Sequence, residues 1–429
     1  EIYTGWYTLS LHDALPIFKA QGISQGLKVY LVGGFVRDLL LGVKNLDLDI
    51  VIEGDGIGFA QNFYKFLKGK RIVRHKSFGT ATVFLGNGFK IDFSSARKEF
   101  YPKPGHLPVV SRGTLRDDLL RRDFTINAMA VDLDNGAIID FFGGQADIKK
   151  KEIRVLHDLS FQDDPLRILR AVRFEKRYDF RLEPRTLKLL KESCRKKMLE
   201  KVHPHRLRDD LVLILKEPYP VKSIKRLNML AGFSFVHPKL KVSPKVLRFL
   251  SDLEKEKRWF RINFPQRREL DFWLVYLIGL VLPLSVKETQ SVCSRFGLRR
   301  GEQKRIVSFK DFSPLLTIEL SRRSIKPSKI FDILEPLSYE TIISLRARNK
   351  NNILRKNISD FLEIYNGMSL FISGKDLHSF GLRPGPLYQN IFAQVLTAKL
   401  DGKVRSRREE LLFIKDILNK RSFSNVQTG

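Results

Sequence analysis

The chain has 429 residues, with 77 Lys and Arg against 47 Asp and Glu, for a formal net charge of +30. That length exceeds one small core and predicts several domains, and a basic excess of this size predicts a polyanionic partner, nucleic acid or an anionic membrane. Its two cysteines, Cys194 and Cys293, exclude a disulfide framework and a cysteine-based zinc site and fit a reducing cytoplasm.

In chain order, the first segment, "GWYTLSLHDALPI" up to Ile17, resembles a translated sequencing adapter. It is read as a non-native leader over residues 1–17, with native sequence from about Phe18, and it is set aside from the fold. Residues 18–150 read as a mixed α/β head. "KVYLVGG" and "LDLDIVIEG" alternate as strands; "FVRDLLLG" and "GFAQNFYKFLKG" carry helical spacing. "ATVFLGNGFKIDFSSAR" predicts two strands joined at Asn87-Gly88, and "INAMAVDLDNGAIIDFFGG" a second hairpin at Asn135-Gly136. Between them, Tyr101 to Leu119 is rich in Pro and Gly and reads as a mobile loop. Strand signals then fade. "DDPLRILRAVRFEKR", "RTLKLLKESCRKKM" and "HRLRDDLVLILKE" predict helices within 151–216, and 217–429 reads as almost wholly helical and basic. The apolar run from Phe272, "FWLVYLIGLVLPL", is too short to cross a bilayer and contains proline, so it reads as a buried helix.

Asp47 and Asp49 stand two residues apart in a predicted strand. The side-chain period of a strand is two, so both carboxylates project from one face. Adjacent carboxylates repel unless a cation lies between them, and a hard cation such as Mg²⁺ takes one or two carboxylates plus substrate phosphates. A strand end with two exposed acids is the plain alternative. The surroundings favour chemistry. Gly33-Gly34 closes one strand and opens a helix, which lets backbone N–H groups approach a phosphate. Arg37 follows on that helix, and Asp92 offers a third acid on another strand. Such a set fits metal-assisted phosphoryl or nucleotidyl transfer. A P-loop is excluded because no G-x-x-x-x-G-K-[ST] occurs, and "EGDGIGFA" lacks the final glycine spacing of a dinucleotide loop.

Five segments in order, "LVGGFVRD", "LDLDIVIEG", "RRDFTINAMA", "DFFGGQADI" and "DDPLRILRAVRF", resemble the motifs of class II tRNA nucleotidyltransferases (CCA-adding enzymes) and the related bacterial poly(A) polymerases. The resemblance implies an α+β protein: a polymerase-β-like nucleotidyltransferase head followed by an all-α neck, body and tail. It implies two catalytic metal ions on Asp47 and Asp49, with Asp92 as third carboxylate. Gly33, Gly34 and Arg37 would meet the triphosphate; Arg121, Arg122 and Asp123 the ribose and phosphates; and Asn127 would support that segment. The stretch from about Phe100 to Asp117 resembles the family's flexible loop, which helps the enzyme reach its A-adding state. Asp163–Arg173 matches the helix that reads the incoming base. Asp164 would accept from the exocyclic amine of C or A, and Arg167, three residues on and expected on the same helix face, would donate to the ring. Where the family usually has Glu-Asp, this chain has Asp163-Asp164. Arg170 and Arg173 read equally as phosphate contacts or as a basic neck face.

The expected activity is addition of CCA, and above all the terminal A, to tRNA from CTP and ATP with Mg²⁺; poly(A) polymerase is the alternative. The C-terminal segments "FEKRYDFRLEPRT" and "ISGKDLHSFGLRPGPLYQNIFAQVLTAKLDGKV" are similar to the long bacterial A-adding type, whose relatives carry DHH and CBS domains ahead of the head. Separated basic clusters, "KESCRKKMLEK", "RINFPQRREL", "RFGLRRGEQKR", "RARNKNNILRK" and "KVRSRREE", are spaced to follow a tRNA backbone. "SGKDL…GLRPGP" reads either as an RNA contact or as a helix-capping loop. His203 and His205, either side of Pro204, read as structural.

Overall fold

The computed structural model describes residue 19, residues 25–85 and residues 88–426, with side chains to residue 419. Residues 1–17, expected from the sequence to be a leader, and Asn87 of the first predicted turn lie outside the described residues. The chain divides into two compact units, residues 1–217 with 222–235, and residues 218–221 with 236–429.

The first unit is built on a seven-stranded mixed sheet. Its strands are β1 (Lys28–Val32), β2 (Leu48–Glu53), β3 (Arg71–His75), β4 (Thr80–Phe84), β5 (Lys90–Ser95), β8 (Ala130–Asp132) and β9 (Ile138–Ile139), in the order β3-β4-β5-β2-β1-β8-β9. The pairs are antiparallel except β2–β5. Alternation puts Val29, Leu31, Ile50, Ile52, Val83, Ile91 and Phe93 in one buried cluster. Helix α1 (Gly34–Leu40) follows β1, and α2 (Gly56–Phe66) follows β2. The Asp55 side chain accepts from Ile57 and Gly58 N–H and so starts α2, which buries Phe59, Ala60 and Phe63. Its first residue must be small: a Cβ on Gly56 would lie 2.6 Å from the Ser94 carbonyl carbon and the Ser95 nitrogen of β5.

The stretch expected to be a loop from Tyr101 to Leu119 is partly ordered. β6 (Arg97–Phe100) and β7 (Val109–Arg112) form an antiparallel ribbon, and α3 (Leu115–Leu120) follows with a Thr114–Asp117 capping box. Its exposed, charged strands carry no alternating apolar pattern, which is why the loop composition dominated the reading. After α4 (Gly144–Lys150), β10 (Glu152–Ile153) pairs in parallel with β11 (Arg181–Leu182) around α5 (Ser160–Asp163) and α6 (Arg167–Arg177). Then come α7 (Pro184–Arg195) and α8 (Pro204–Lys216), which His203 begins by accepting from the His205 N–H.

The second unit is helical. From Lys222 on, α9 (Pro220–Leu230) belongs to the first unit; α10 (Pro244–Asn263) and α11 (Phe272–Leu280) pack together inside the second. Phe272 and Leu274 to Leu280 are buried, so the apolar run is a core helix. No helix among the described residues is long and apolar enough to cross a membrane. In "SGKDL", Ser373 and Asp376 form a capping box for the helix Gly374–Ser379.

Candidate active site

Sheet register builds the acidic site. Asp49 in β2 lies directly opposite Asp92 in β5, and Thr82 in β4 lies opposite Asp92 on its other side. The Thr82 hydroxyl donates to Asp92 Oδ1 at 2.5 Å. Asp47 stands just before β2. Lys90, two residues before Asp92 and therefore on the same face, reaches between the acids: its Nζ is 2.9 Å from Asp47 Oδ1 and 2.9 Å from Asp92 Oδ2. The sequence reading had missed this lysine, although its spacing from Asp92 was the available signal. Asp49 is the most enclosed of the three acids. Burial pushes its carboxyl up to about 6, Asp47 and Asp92 add to the rise, and Arg122 opposes it.

The double glycine is bound into the same place. Gly33 has φ 76°, which an L side chain rarely adopts. A Cβ there would fall 2.6 Å from Arg122 Nη1 and 3.4 Å from Asp49 Oδ2. Gly33, Arg122 and Asp49 are therefore close neighbours. Arg122 also donates to the buried Asp118 at 3.1 Å, and its Nε is buried without a partner. Gly34 opens α1, where a Cβ would lie 3.3 Å from Arg37 Nη2.

Several predicted contacts have structural partners of their own. Arg37 is buried; it donates to Asp38 at 2.8 Å and Asn127 at 2.5 Å, and its guanidinium lies 4.7 Å from the Tyr178 ring centre and 5.2 Å from that of Phe174. Asn127 in turn donates to Asp123 at 2.9 Å, so α1, the "RRDFTIN" segment and α6 are tied together. Arg121 is held by Asp118 and by Glu99 of the ribbon, at 2.7 and 3.0 Å.

The proposed base reader differs from expectation in one respect. Asp164 and Arg167 do not share a helix face. α5 ends at Asp163, Asp164 is extended (φ −128°, ψ 94°), and α6 begins at Arg167. Pro165 is the reason, since it disfavours helical backbone in the residue before it. Asp164 is buried and accepts from Arg206 of α8 at 3.1 Å, with Arg170 at 3.5 Å. Arg167 donates to the Ser160 hydroxyl and to the Arg121 carbonyl, both at 2.6 Å. Arg170 bridges onward to Asp210 at 3.0 Å, and Arg173 lies over Phe174 with its Nε buried and unpartnered. Asp163 points elsewhere, 3.9 Å from His157 Nε2. Arg167, Asp163, His157, Arg121, Glu99 and Tyr101 line a cavity of about 300 Å³ beside the ribbon. The ribbon's far end reaches the same place, where Gly105 N–H donates to the Asp163 carbonyl at 3.4 Å and Arg206 donates to the Gly105 carbonyl at 3.1 Å.

The sheet, its paired carboxylates and the helical remainder define a nucleotidyltransferase. Residues 29–154 match the family described as "Poly A polymerase head domain", and residues 179–242 match "Probable RNA and SrmB- binding site of polymerase A". The A-adding tRNA nucleotidyltransferase of Geobacter sulfurreducens is 38% identical over 90% of this chain and 44% of its own length. That of Halalkalibacterium halodurans is 32% identical over 95% of this chain and 93% of its own. This chain thus spans less than half of the first relative but nearly all of the second. The Thermotoga maritima CCA-adding enzyme complexed with tRNA is 36% identical, with a TM-score of 0.75 over 96% of both chains. A CCA-adding enzyme complexed with ATP is also 36% identical, with a TM-score of 0.76 over 95% of both. The chain belongs to the A-adding and CCA-adding tRNA nucleotidyltransferase family.

Proposed function

We propose that the protein adds nucleotides to the 3′ end of tRNA without a template, using ATP or CTP, and that its particular reaction is addition of the terminal A. The observation that carries this reading is the register that brings Asp49 and Asp92 side by side, with Asp47 joined to Asp92 through Lys90. The Geobacter and Halalkalibacterium relatives are A-adding enzymes and the two solved structures CCA-adding enzymes, which favours tRNA 3′-end addition over poly(A) synthesis.

The donor set suits a hard divalent cation, and we propose Mg²⁺. Among the described residues no three His, Cys, Asp or Glu side chains stand at metal-binding spacing. The Lys90 ammonium sits between Asp47 and Asp92, and on this proposal it gives way when the cation binds. When bound, such a cation lowers the pKa of the attacking 3′ hydroxyl and neutralises the departing pyrophosphate. The chain's own part is to place the substrate. Gly33, lacking a side chain, lets the Arg122 guanidinium lie against the backbone beside Asp49, where it would face the phosphates of a bound nucleotide. Asp164 and Arg167 present an acceptor and donors, the pattern that suits the amine and ring nitrogen of A or C. The free thiols of Cys194 and Cys293 fit a cytoplasmic enzyme.

The test supplies purified protein with tRNA ending in its discriminator base, in C or in CC, and with each nucleoside triphosphate. One A added only to tRNA ending in CC is expected; long A tails on arbitrary RNA would overturn the assignment. With Asp47 and Asp49 both changed to Ala, incorporation is lost while tRNA affinity stays within about twofold, because affinity comes from phosphate contacts elsewhere.

A further inference from the structure

In the second unit, α10 and α11 border a cavity of about 640 Å³ lined by Tyr219, Lys257, Arg258, Arg261, Ile262 and Tyr276, among others. That volume lies within the about 300–1,000 Å³ usual for small-ligand sites. Three observations are unexplained by the fold. Lys257 and Arg261, one helical turn apart, both face the Phe272 ring, at 4.9 and 5.1 Å from its centre, so two like charges crowd one surface. Arg261 is offset by Glu269 at 3.0 Å; Glu254 lines the same cavity and, with Glu269, partly offsets Lys257 from beyond salt-bridge distance, which still leaves Lys257, Arg258 and Arg261 in excess of the acids around them. Finally, Tyr276 is wholly buried and its hydroxyl has no hydrogen-bond partner, a state that a native fold rarely leaves without use.

A phosphate would answer the charges, and the orphan hydroxyl can donate to an oxygen of the same ligand. The rim is apolar and open: Tyr219 is 58% and Ile262 70% exposed, a surface against which a planar base can stack. We infer that this cavity binds one nucleotide, with its phosphate between Lys257 and Arg258 and its base against Tyr219 and Ile262. The cavity's lining residues belong to the second unit and the carboxylates to the first. The nucleotide has two possible sources, a free nucleoside phosphate or an unpaired nucleotide of a bound RNA.

Burial, reinforced by Arg261, holds the Lys257 ammonium below the usual lysine range. Lys257 lines the cavity, so its amine reports directly on occupancy. The experiment measures the acetylation rate of Lys257 by mass spectrometry in the full chain, alone, with AMP, and with tRNA. At about ten times Kd, occupancy slows acetylation about tenfold by mass action. Slowing by AMP assigns the site to free nucleotide; slowing by tRNA alone assigns it to RNA. Tyr276→Phe is expected to keep the melting temperature, since it removes a group with no partner, and to lose most of the protection. No protection by either ligand overturns the inference. So does equal protection of the wild type and Tyr276→Phe, which would mean that RNA merely covers the surface. These outcomes do not depend on incorporation, so the activity proposed for the head stands or falls separately.

Discussion

Lys90 gives the acidic site its charge balance in the absence of substrate. Its two ion pairs are partly exposed, and each such pair is worth about 0.2–1 kcal/mol, so a cation displacing the ammonium forfeits that much twice. Lys90→Met therefore raises the affinity of the nucleotide-free protein for Mn²⁺ by about two- to thirtyfold, read by the free-ion signal in electron paramagnetic resonance, and lowers its melting temperature when no metal is added. Weaker Mn²⁺ binding would show that the lysine assists the cation. Asp49 makes a different statement. Its carboxyl is raised to about 6, above its unfolded value of 3.8, so the native state binds the extra proton. The stability this lends is present at low pH and is lost as pH rises from about 4 through 6. Asp49→Asn, which carries no charge, should be more stable than the wild type at pH 7.5, with the gap narrowing as pH falls through 6 and closing near pH 4. Thermal unfolding in chelator tests this, and a gap independent of pH would argue against the raised carboxyl. At this scale the sequence carried much. Two acids at strand spacing announced the site; Lys90 was legible beside Asp92 in the same strand and was passed over, whereas Arg206 was not, because its partner Asp164 lies 42 residues away.

Among elements, reach in sequence decided what was legible. β1, β2, β4 and β5 were read from alternation and their glycine turns, both of which are local. The ribbon of β6 and β7 was not: beside its backbone pairing it carries ion pairs such as Arg97–Glu99 and Arg121–Glu99, which leave no periodic trace. The break between α5 and α6 was visible in Pro165 but lost to the apolar spacing around it. In the second unit, one buried acid holds three helices. Glu256 of α10 accepts from Arg346, in the helix Tyr339–Arg348, and from Arg355, in the helix Asn352–Asp360, at 2.6 Å for Arg355. Arg346 also lies 3.4 Å from the Trp259 ring centre. Removing one member of a buried pair costs about 3–5 kcal/mol, since the other charge is left stranded. Glu256→Ala should destabilise the second unit by that amount in urea unfolding followed at Trp259. A loss under about 1 kcal/mol would mean that water already reaches the pair.

For the whole molecule, the surplus of positive charge makes RNA binding a matter of released counterions. The affinity for tRNA should fall by about 10³-fold or more between 50 and 200 mM salt, as for proteins that neutralise six or more phosphates. The slope of log K against log salt should match in the double mutant of Asp47 and Asp49, whose acids lie outside the grip; a flat response would rule out a backbone grip. The division into an α+β head and a helical remainder was legible because periodicity and charge persist over long stretches.

The single parallel pair in the sheet bears on how the enzyme comes into being. β2 and β5 cannot be joined by a tight turn, and Asp92 leaves the ribosome 43 residues after Asp49 (92 − 49). Closing so long a segment carries an entropic cost that local contacts avoid, so this pairing belongs among the slower events of folding. A nascent or half-folded chain would then hold Asp49 apart from Asp92, and the ability to extend RNA would be acquired only when the head is complete.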